Sequence, residues 1–594
     1  METLKSIGRR HFAQFVNVFF IFAIIVIVGL VVNHGFIDGN FHFFNRFYKP
    51  VNAVFSLLSI VMSLYLLLIA DKKFLKVARM IFTVASVIYF IISVLWWADI
   101  LTDYMDVHSL QVFFAIVIGF MAMSYKISSL GNSNLHPSLL FVLSFLFLII
   151  LGVFFLMLPH ATYHRITFLQ ALFTATSAVT VTGLAVLDTG KDFTFLGQMI
   201  ILFLIQLGGL GILTITNIFS MVFTASSSFK NRMMVSEMIK EMDNNNTFST
   251  LFKIISITLL VEVIGAVLIY FSTFHSDIGA ENRIFFSIFH SISAFCNAGF
   301  STLSGSMNEE GVQFNYYFQL VVCWLIITGG LGYLVIINQY ELVRRRITKF
   351  FATKNPYYLI DSSMGVNRIS TNTYIVLKTT FILLIAGTLL FFFAEYFGTL
   401  EKHSPLGKII VSFFNSTTAR TAGFNNVDMA SLGIPAVMLI MALMWIGASP
   451  GSTGGGVKTT TFAVALMNIW NLILGKNTNI VRNKEISQST LNQVNAVILL
   501  SIFAISFGSF FISFFNQDLK FRDILFECIS AYSTVGLSLG ITSKLTAESQ
   551  VAIILLMFLG RVSFLTFLIG IVGQIVKPKK QIEPYYPKEN VFIN

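Results

Sequence analysis

Hydrophobic positions in this chain fall into runs, and from residue 135 onward the runs alternate between two lengths. Four apolar segments come first, at roughly 12–32, 51–70, 80–97 and 110–125. A unit then recurs four times: a long apolar run, a shorter one of ten to fourteen mostly apolar residues, a glycine-containing stretch, and a second long run. The long runs are Leu139–Leu158 and Leu196–Phe223 in the first unit, Leu251–Phe271 and Tyr316–Ile337 in the second, and Ala496–Phe515 and Ala552–Val576 in the fourth. In the third they are Val376–Phe397 and an interrupted run from Ile434 to about Leu474. A helix needs about 20 apolar residues to cross a bilayer, so the long runs predict spans and the short ones re-entrant helices. The pattern predicts an all-α polytopic membrane protein. Four pseudo-repeated helix–pore loop–helix units (135–248, 249–372, 373–492, 493–576) surround a central pore. An extension with four further transmembrane helices (1–134) precedes them and a tail (577–594) follows. The total expected is twelve full spans and four re-entrant ones.

The stretch after each short run is the same motif written four times. Thr180-Val181-Thr182-Gly183, Cys296-Asn297-Ala298-Gly299, Arg420-Thr421-Ala422-Gly423 and Ser533-Thr534-Val535-Gly536 align on the glycine, and a large apolar residue follows each. Ten residues upstream stands a phenylalanine (Phe173, Phe289, Phe413, Phe526), and six upstream a hydroxyl (Ser177, Ser293, Thr417, Ser530). A long-period repeat of this kind fixes the architecture. Irregular backbone at membrane depth persists only where it lines an aqueous path or is buried in protein. Four such turns around one axis aim carbonyls and helix C-terminal dipoles at a pore, where carbonyls can replace a cation's hydration shell. No carboxylate occurs in the four stretches. They are therefore expected to form a filter for a weakly hydrated monovalent cation, K⁺ before Na⁺.

Composition agrees. Of 594 residues 56% are hydrophobic and 11% charged, with mean hydropathy +0.79, against about 25% charge in a soluble protein. The net charge of +11 is assigned to loops on the inner side of the membrane, not to nucleic-acid binding. With twelve spans and the N-terminus inside, the clusters Lys72/Lys73/Lys76/Arg79, Lys230/Arg232, Arg344–Arg346/Lys349/Lys354, Lys476/Arg482/Lys484 and Lys577/Lys579/Lys580 all face the cytoplasm. The acidic loop Asp99–Val107 then faces outside, and both termini are cytoplasmic. The basic start followed by a long apolar run reads as a retained helix, not a cleaved signal. Cys296, Cys323 and Cys528 have no spacing for disulfides or zinc. No nucleophile–base or metal spacing suggests an enzyme, and no organic cofactor is expected.

Several polar residues interrupt the apolar pattern. Arg420 sits within a cation filter and is expected either to turn from the axis towards an acid such as Glu527 or backbone carbonyls, or to sit at the outer rim. The stretch Gly447–Lys458 contains Gly451, Ser452, Thr453, Gly454, Gly455, Gly456 and Lys458, and with Pro450 it breaks the third unit's second helix. A phosphate-binding loop is ruled out, because Val457 separates Gly456 from Lys458 and no strand precedes it. The reading is an intramembrane gate beneath the filter. Arg561, in the last apolar run, is expected to face inward and hold that loop by its carbonyls. Gly208, Gly209, Gly211, Gly329, Gly330, Gly332 and Gly560 are expected to serve chiefly for close packing in otherwise continuous helices. Glu262 is intramembrane and has no partner evident from sequence. Asp188-Thr189-Gly190-Lys191 has the wrong residue order for a phosphorylated pump motif.

With these residues in view, the chain resembles the Trk/Ktr/HKT superfamily of potassium transporters, most closely its bacterial potassium-translocating subunits, over roughly residues 135–576. The resemblance implies that Gly183, Gly299, Gly423 and Gly536 set K⁺ selectivity. Some plant relatives that admit Na⁺ have serine at the first of these positions, and Gly183 favours K⁺. It further implies a homodimer with one pore per subunit, in lipid, in the bacterial plasma (inner) membrane. A cytosolic ring of separate Rossmann-like nucleotide-binding subunits would act on the gate loop in trans. The first 130 residues depart from the family pattern. The expected function is K⁺ uptake through a gated, channel-like pore driven by membrane potential. The alternatives are K⁺ symport with H⁺ or Na⁺, which would call on Glu262, and the pore subunit of an ATP-driven pump.

Overall fold

The computed structural model describes, isolated positions apart, residues 15–29, 42–68, 73–98, 114–118, 137–211, 247–274, 282–342 and 370–575. The charge clusters at 230–232, 344–354 and 577–580, the loop 99–107 and the tail 577–594 lie outside them. Two helices, α1 (His42–Leu68) and α2 (Lys73–Trp97), belong to the extension. They share one apolar core with the helical pieces at 15–29 and 114–118, centred on Phe19, Phe55, Tyr89, Ala115 and Ile118. Inside it the Tyr89 hydroxyl donates to Asn52 Oδ1 (2.5 Å), and Asn52 Nδ2 lies 3.3 Å from Ser93 Oγ. A buried amide paired in this way avoids the cost of an unmet hydrogen bond.

The four units follow. The first is α3 (Pro137–Leu156), α4 (Phe168–Thr180) and α5 (Phe195–Leu210); the second is α6 (Thr247–Ser272), α7 (Arg283–Phe295) and α8 (Tyr316–Leu331). The third is α9 (Thr371–Glu395), α10 (Pro405–Thr418), α11 (Ile434–Trp445) and α12 (Thr459–Ile473). The fourth is α13 (Gln488–Phe515), α14 (Phe521–Tyr532), α15 (Ala547–Val562) and α16 (Phe564–Ile575). A hairpin of two short strands, β1 (Ile480–Val481) and β2 (Lys484–Glu485), joins the last two units. Two of the short helices start on a capping side chain. Thr167 and Gln170 form a reciprocal capping box on α4, and Ser404 caps α10 ahead of Pro405. The first helices turn broad apolar faces outward: Leu499, Phe503, Phe507, Phe510 and Phe514 of α13 are all exposed. That much apolar surface suits lipid, not water, and the chain is a multi-pass membrane protein.

The second helices are shorter than the apolar runs predict. Among the described residues, four helices are long and apolar enough to cross a membrane unbroken, one per unit: Ser138–Leu156, Lys253–Ser272, Thr371–Glu395 and Gln488–Phe515. In place of continuous second spans, α5 ends at Gly211 (φ 77°), α8 at Gly332 (φ 80°) and α15 at Ser563 (φ 70°). At Ser563 the chain bends by 83° into α16. Sixteen residues of α-helix reach only about 24 Å at 1.5 Å per residue, short of a ~30 Å core. The breaks fall at equivalent places, so all four units share one broken design and not only the third. Gly208, Gly329 and Gly560 do serve close packing: a Cβ on each would overlap the carbonyl of Val179, Phe295 or Tyr532, at the end of its own unit's short helix. Ser563 holds a conformation that costs a side-chain-bearing residue about 1–3 kcal/mol. Ser563→Gly is expected to raise the thermal midpoint of the detergent-solubilised protein by relieving roughly 1 kcal/mol of it, after glycine's extra unfolded entropy. An unchanged or lower midpoint would show that the bend carries no strain.

The units close into a ring. Each second helix packs against the short helix of the next unit: α5 on α7, α8 on α10, α11 on α14, and α15 back on α4. The short helices therefore converge with their C-termini on one place.

Candidate functional site

Four strands meet where the short helices end. Two residues before each glycine the chain enters the left-handed region: Val181 (φ 58°), Asn297 (φ 60°), Thr421 (φ 70°) and Thr534 (φ 50°). Each glycine is then also at positive φ: Gly183 91°, Gly299 71°, Gly423 78°, Gly536 93°. The glycines interlock cyclically. A Cβ on Gly183 would overlap the Ala298 carbonyl, one on Gly299 the Ala422 carbonyl (2.7 Å), one on Gly423 the Val535 carbonyl, and one on Gly536 the Thr182 carbonyl. The order runs from unit one to two, three, four and back to one. The carbonyls of Thr182, Ala298, Ala422 and Val535 thus form a closed ring with no room for a side chain between neighbouring strands. This is an arrangement that can coordinate a bare cation through neutral oxygens.

Hydroxyls hold the strands from behind. Gly183 N–H donates to Ser177 Oγ (3.0 Å) and Gly536 N–H to Ser530 Oγ (3.1 Å), while Ser293 Oγ donates to the Phe300 carbonyl (2.7 Å). In the third unit this role falls to Thr418, whose Oγ1 donates to the Phe424 carbonyl (2.8 Å). Thr417 bonds within its own helix, to Phe413 O. Phe414, not Phe413, is the fully buried ring of α10. The upstream alignment of the third unit is therefore corrected by one residue: α10 ends one position closer to its glycine. Conservative look-alikes in adjacent positions (Thr417/Thr418, Phe413/Phe414) hid the slip.

Arg420 is buried, at 7% exposure, and so is not on the outer rim. Its guanidinium turns to α9, where Nη2 lies 3.4 Å from Thr380 Oγ1, and Nε has no partner among the described residues. Glu527 is not its partner. That carboxylate accepts from the Thr542 hydroxyl instead.

The loop between α11 and α12 passes directly beneath the ring. Its two ends are tied by Gly447 N–H donating to Val457 O (2.8 Å). Gly454 and Gly455 lie against the hydroxyls of Thr421 and Thr534, so tightly that neither could carry a side chain. Ser449 Oγ donates to Gly330 O (2.8 Å) and Leu331 O (2.5 Å), Tyr333 N–H to Gly451 O (3.2 Å), and Thr453 Oγ1 to Phe295 O (3.2 Å). Lys458 Nζ donates to Gly454 O (2.5 Å) within the loop. Arg561 reaches in from α15: Nη1 donates to Thr453 O, and Nη2 to Gly208 O at 2.5 Å, the end of α5. One guanidinium bridges the loop and the first unit, a fork that lysine could not reproduce. Gly451, Ser452, Thr453, Gly454, Gly455, Gly456, Lys458 and Arg561 thus lie on one side of the ring, in one hydrogen-bonded body with the broken ends of α5 and α8.

A pseudo-fourfold ring of carbonyls in a multi-pass helical membrane protein, underlain by a glycine-rich intramembrane loop, defines a membrane cation-translocating protein. The chain belongs to the TrkH family of cation transport proteins, whose family model matches residues 136–579. It is 33% identical over 463 residues to Ktr system potassium uptake protein B of Vibrio alginolyticus, spanning 76% of this chain and 93% of that protein. It is likewise 33% identical over 474 residues to the potassium/sodium uptake protein NtpJ of Enterococcus hirae, spanning 78% and 98%. The crystal structure of the potassium transporter TrkH from Vibrio parahaemolyticus shares the fold at TM-score 0.56 and 17% identity, covering 88% of this chain and 97% of that one. The family match leaves the first 135 residues outside it.

Proposed function

We propose that this chain carries K⁺ into the cell through a gated, channel-like pore driven by the membrane potential. The observation that carries the reading is the cyclic interlock of Gly183, Gly299, Gly423 and Gly536 on the Ala298, Ala422, Val535 and Thr182 carbonyls. Four neutral carbonyls suit a large monovalent cation, which loses its hydration shell at less cost than a small or divalent one. The potassium-uptake names of the relatives favour K⁺ over other such ions. In this reading residues 135–576 form the four pore units and 1–134 an accessory helical unit. The loop Gly451–Lys458 is the gate and Arg561 its latch. The protein is a transporter, not an enzyme, and acts as a homodimer in the bacterial plasma membrane with both termini cytoplasmic. A cytosolic nucleotide-binding ring, supplied in trans, moves the gate. Glu262 lies behind a filter strand and not under the ring, which supports a channel-like path over symport with H⁺ or Na⁺.

The test is Rb⁺ uptake into liposomes containing the chain alone under an inside-negative potential, with and without Na⁺ or pH gradients. Uptake driven by potential alone, and competed by K⁺ more than by Na⁺, is expected. Uptake that requires an ion gradient would overturn the channel-like reading in favour of symport.

A further inference from the structure

Glu262 is the intramembrane acid for which the pore itself has no use. It lies on α6, 5% exposed, and its carboxylate is enclosed by residues of two units. Gln206 Nε2, from α5 of the first unit, donates to Glu262 Oε2 at 3.1 Å. The Cys296 thiol lies 3.9 Å from Glu262 Oε1 and 3.8 Å from Gln206 Oε1. Gly209, also on α5, presses on the same sulfur: a Cβ there would come within 2.6 Å of Cys296 Sγ. The main chain of Glu262 is pinned as well, its carbonyl accepting from Ser291 Oγ of the short helix α7 (2.6 Å).

Cys296 is two residues from Ala298, whose carbonyl is the second unit's share of the ring. The corresponding side chains of the other strands have no such clamp. Thr180 bonds back to Thr176 O and Thr182, Arg420 reaches a lone hydroxyl, and Ser533 Oγ has no partner among the described residues. The second strand alone is backed by an acid and an amide, one from its own unit and one from its neighbour. Gln206 is also two residues from Gly208, whose carbonyl accepts from Arg561, so the clamp and the latch stand on the same end of α5. A buried carboxylate with only an amide and a thiol for side-chain partners is costly to place, and this one is spent on holding a single filter strand.

We propose that Glu262 and Gln206 are positioning residues that fix the second filter strand through Cys296 and thereby set discrimination between K⁺ and Na⁺. The inference rests on the K⁺ pathway proposed above and deepens it. If the pair is lost, the Cys296 strand can shift, the Ala298 carbonyl leaves its place against Gly183, and the ring accepts smaller ions.

The experiment uses the full-length protein in liposomes, with Rb⁺ uptake under an inside-negative potential and Na⁺ or K⁺ as competitor. The parent, Glu262→Leu, Glu262→Gln and Gln206→Asn are compared. Gln206→Asn shortens the amide away from Glu262 without introducing an apolar side chain, and so tests the clamp if Glu262→Leu does not fold. In Gln206→Asn and Glu262→Leu the Na⁺:K⁺ ratio of half-inhibiting concentrations is expected to fall about fivefold, a shift of about half of one tenfold step beyond ordinary scatter. Glu262→Gln, which keeps an acceptor towards Cys296, stays near the parent. A structural role alone would lower uptake amplitude and thermal midpoint and leave the ratio unmoved. A selective parent with an unmoved ratio in Gln206→Asn and in any folded Glu262→Leu overturns this inference alone. A parent that does not distinguish the two ions overturns the proposed function and this inference with it.

Discussion

Arg561→Ala is expected to raise Rb⁺ flux through the isolated chain by at least about tenfold. The guanidinium donates at once to Thr453 O in the loop and Gly208 O at the end of α5. A hydrogen bond from a charged group is worth roughly 1.5–3 kcal/mol, and each 1.4 kcal/mol is a factor of ten in an equilibrium. Loss of even one such bond therefore moves the loop's closed-to-open ratio by about an order of magnitude. The same substitution removes a positive charge from beneath the ring, where repulsion between like charges some 8 Å apart amounts to about 2 kcal/mol at an effective dielectric near 20. Arg561→Gln separates the two effects. Glutamine removes the charge and keeps a single amide donor group, so it lowers the electrostatic barrier while retaining part of the tether. If the latch dominates, flux follows the order Ala above Gln above Arg; if charge dominates, Ala and Gln coincide. Deletion of Gly454–Gly456, which removes the segment lying against Thr421 and Thr534, is expected to raise flux further. Normally folded variants with flux at the parent level would remove the gate assignment.

The parts of this site that were legible in the sequence are those written four times. The glycines and the residues two places before them share a conformation in every unit, because the same turn is demanded at the same depth. One asymmetry was invisible for a particular reason. In the third unit, Thr417-Thr418 and Phe413-Phe414 offer the right residue in both registers, so the shortened helix end leaves no trace in the alignment. The broken second helices escaped detection for another. The residues on both sides of Gly211, Gly332 and Ser563 are apolar, and hydropathy reports the surroundings of a segment, not the continuity of its backbone. Arg561 and its loop carbonyls were foreseeable, since a buried guanidinium must find acceptors and an unwound loop supplies them. Thr380 as the contact of Arg420 was not, because any one of many intramembrane hydroxyls could have stood there. Glu262 lacked a partner on paper because its clamp is assembled across units, from Gln206 and Cys296.

Gly183→Ser is expected to lower discrimination between K⁺ and Na⁺ by about tenfold or more. The residue sits at φ 91°, and any Cβ overlaps the Ala298 carbonyl. That carbonyl is backbone within the ring and cannot swing aside as a side chain could, so the first and second strands must separate. Holding a non-glycine residue in this conformation costs about 1–3 kcal/mol, enough by itself to shift an equilibrium by roughly ten- to a hundredfold. The substitution is therefore not neutral towards folding, and loss of selectivity has to be told apart from loss of stability. Gly540 supplies the comparison: it is also at positive φ, 86°, and nothing lies within 4 Å of the Cβ it would carry. Gly540→Ser bears the same kind of backbone cost outside the ring, and should lower the thermal midpoint while leaving ion competition at the parent ratio. Gly299 gives the gradation within the ring. Its Cβ would meet the Ala422 carbonyl at 2.7 Å, the most room among the four, so Gly299→Ala should be the mildest of the ring substitutions and Gly423→Ala or Gly536→Ala harsher. If Gly183→Ser matches Gly540→Ser in both stability and selectivity, the ring does not choose the ion, and the selectivity of the protein must be sought elsewhere along the path.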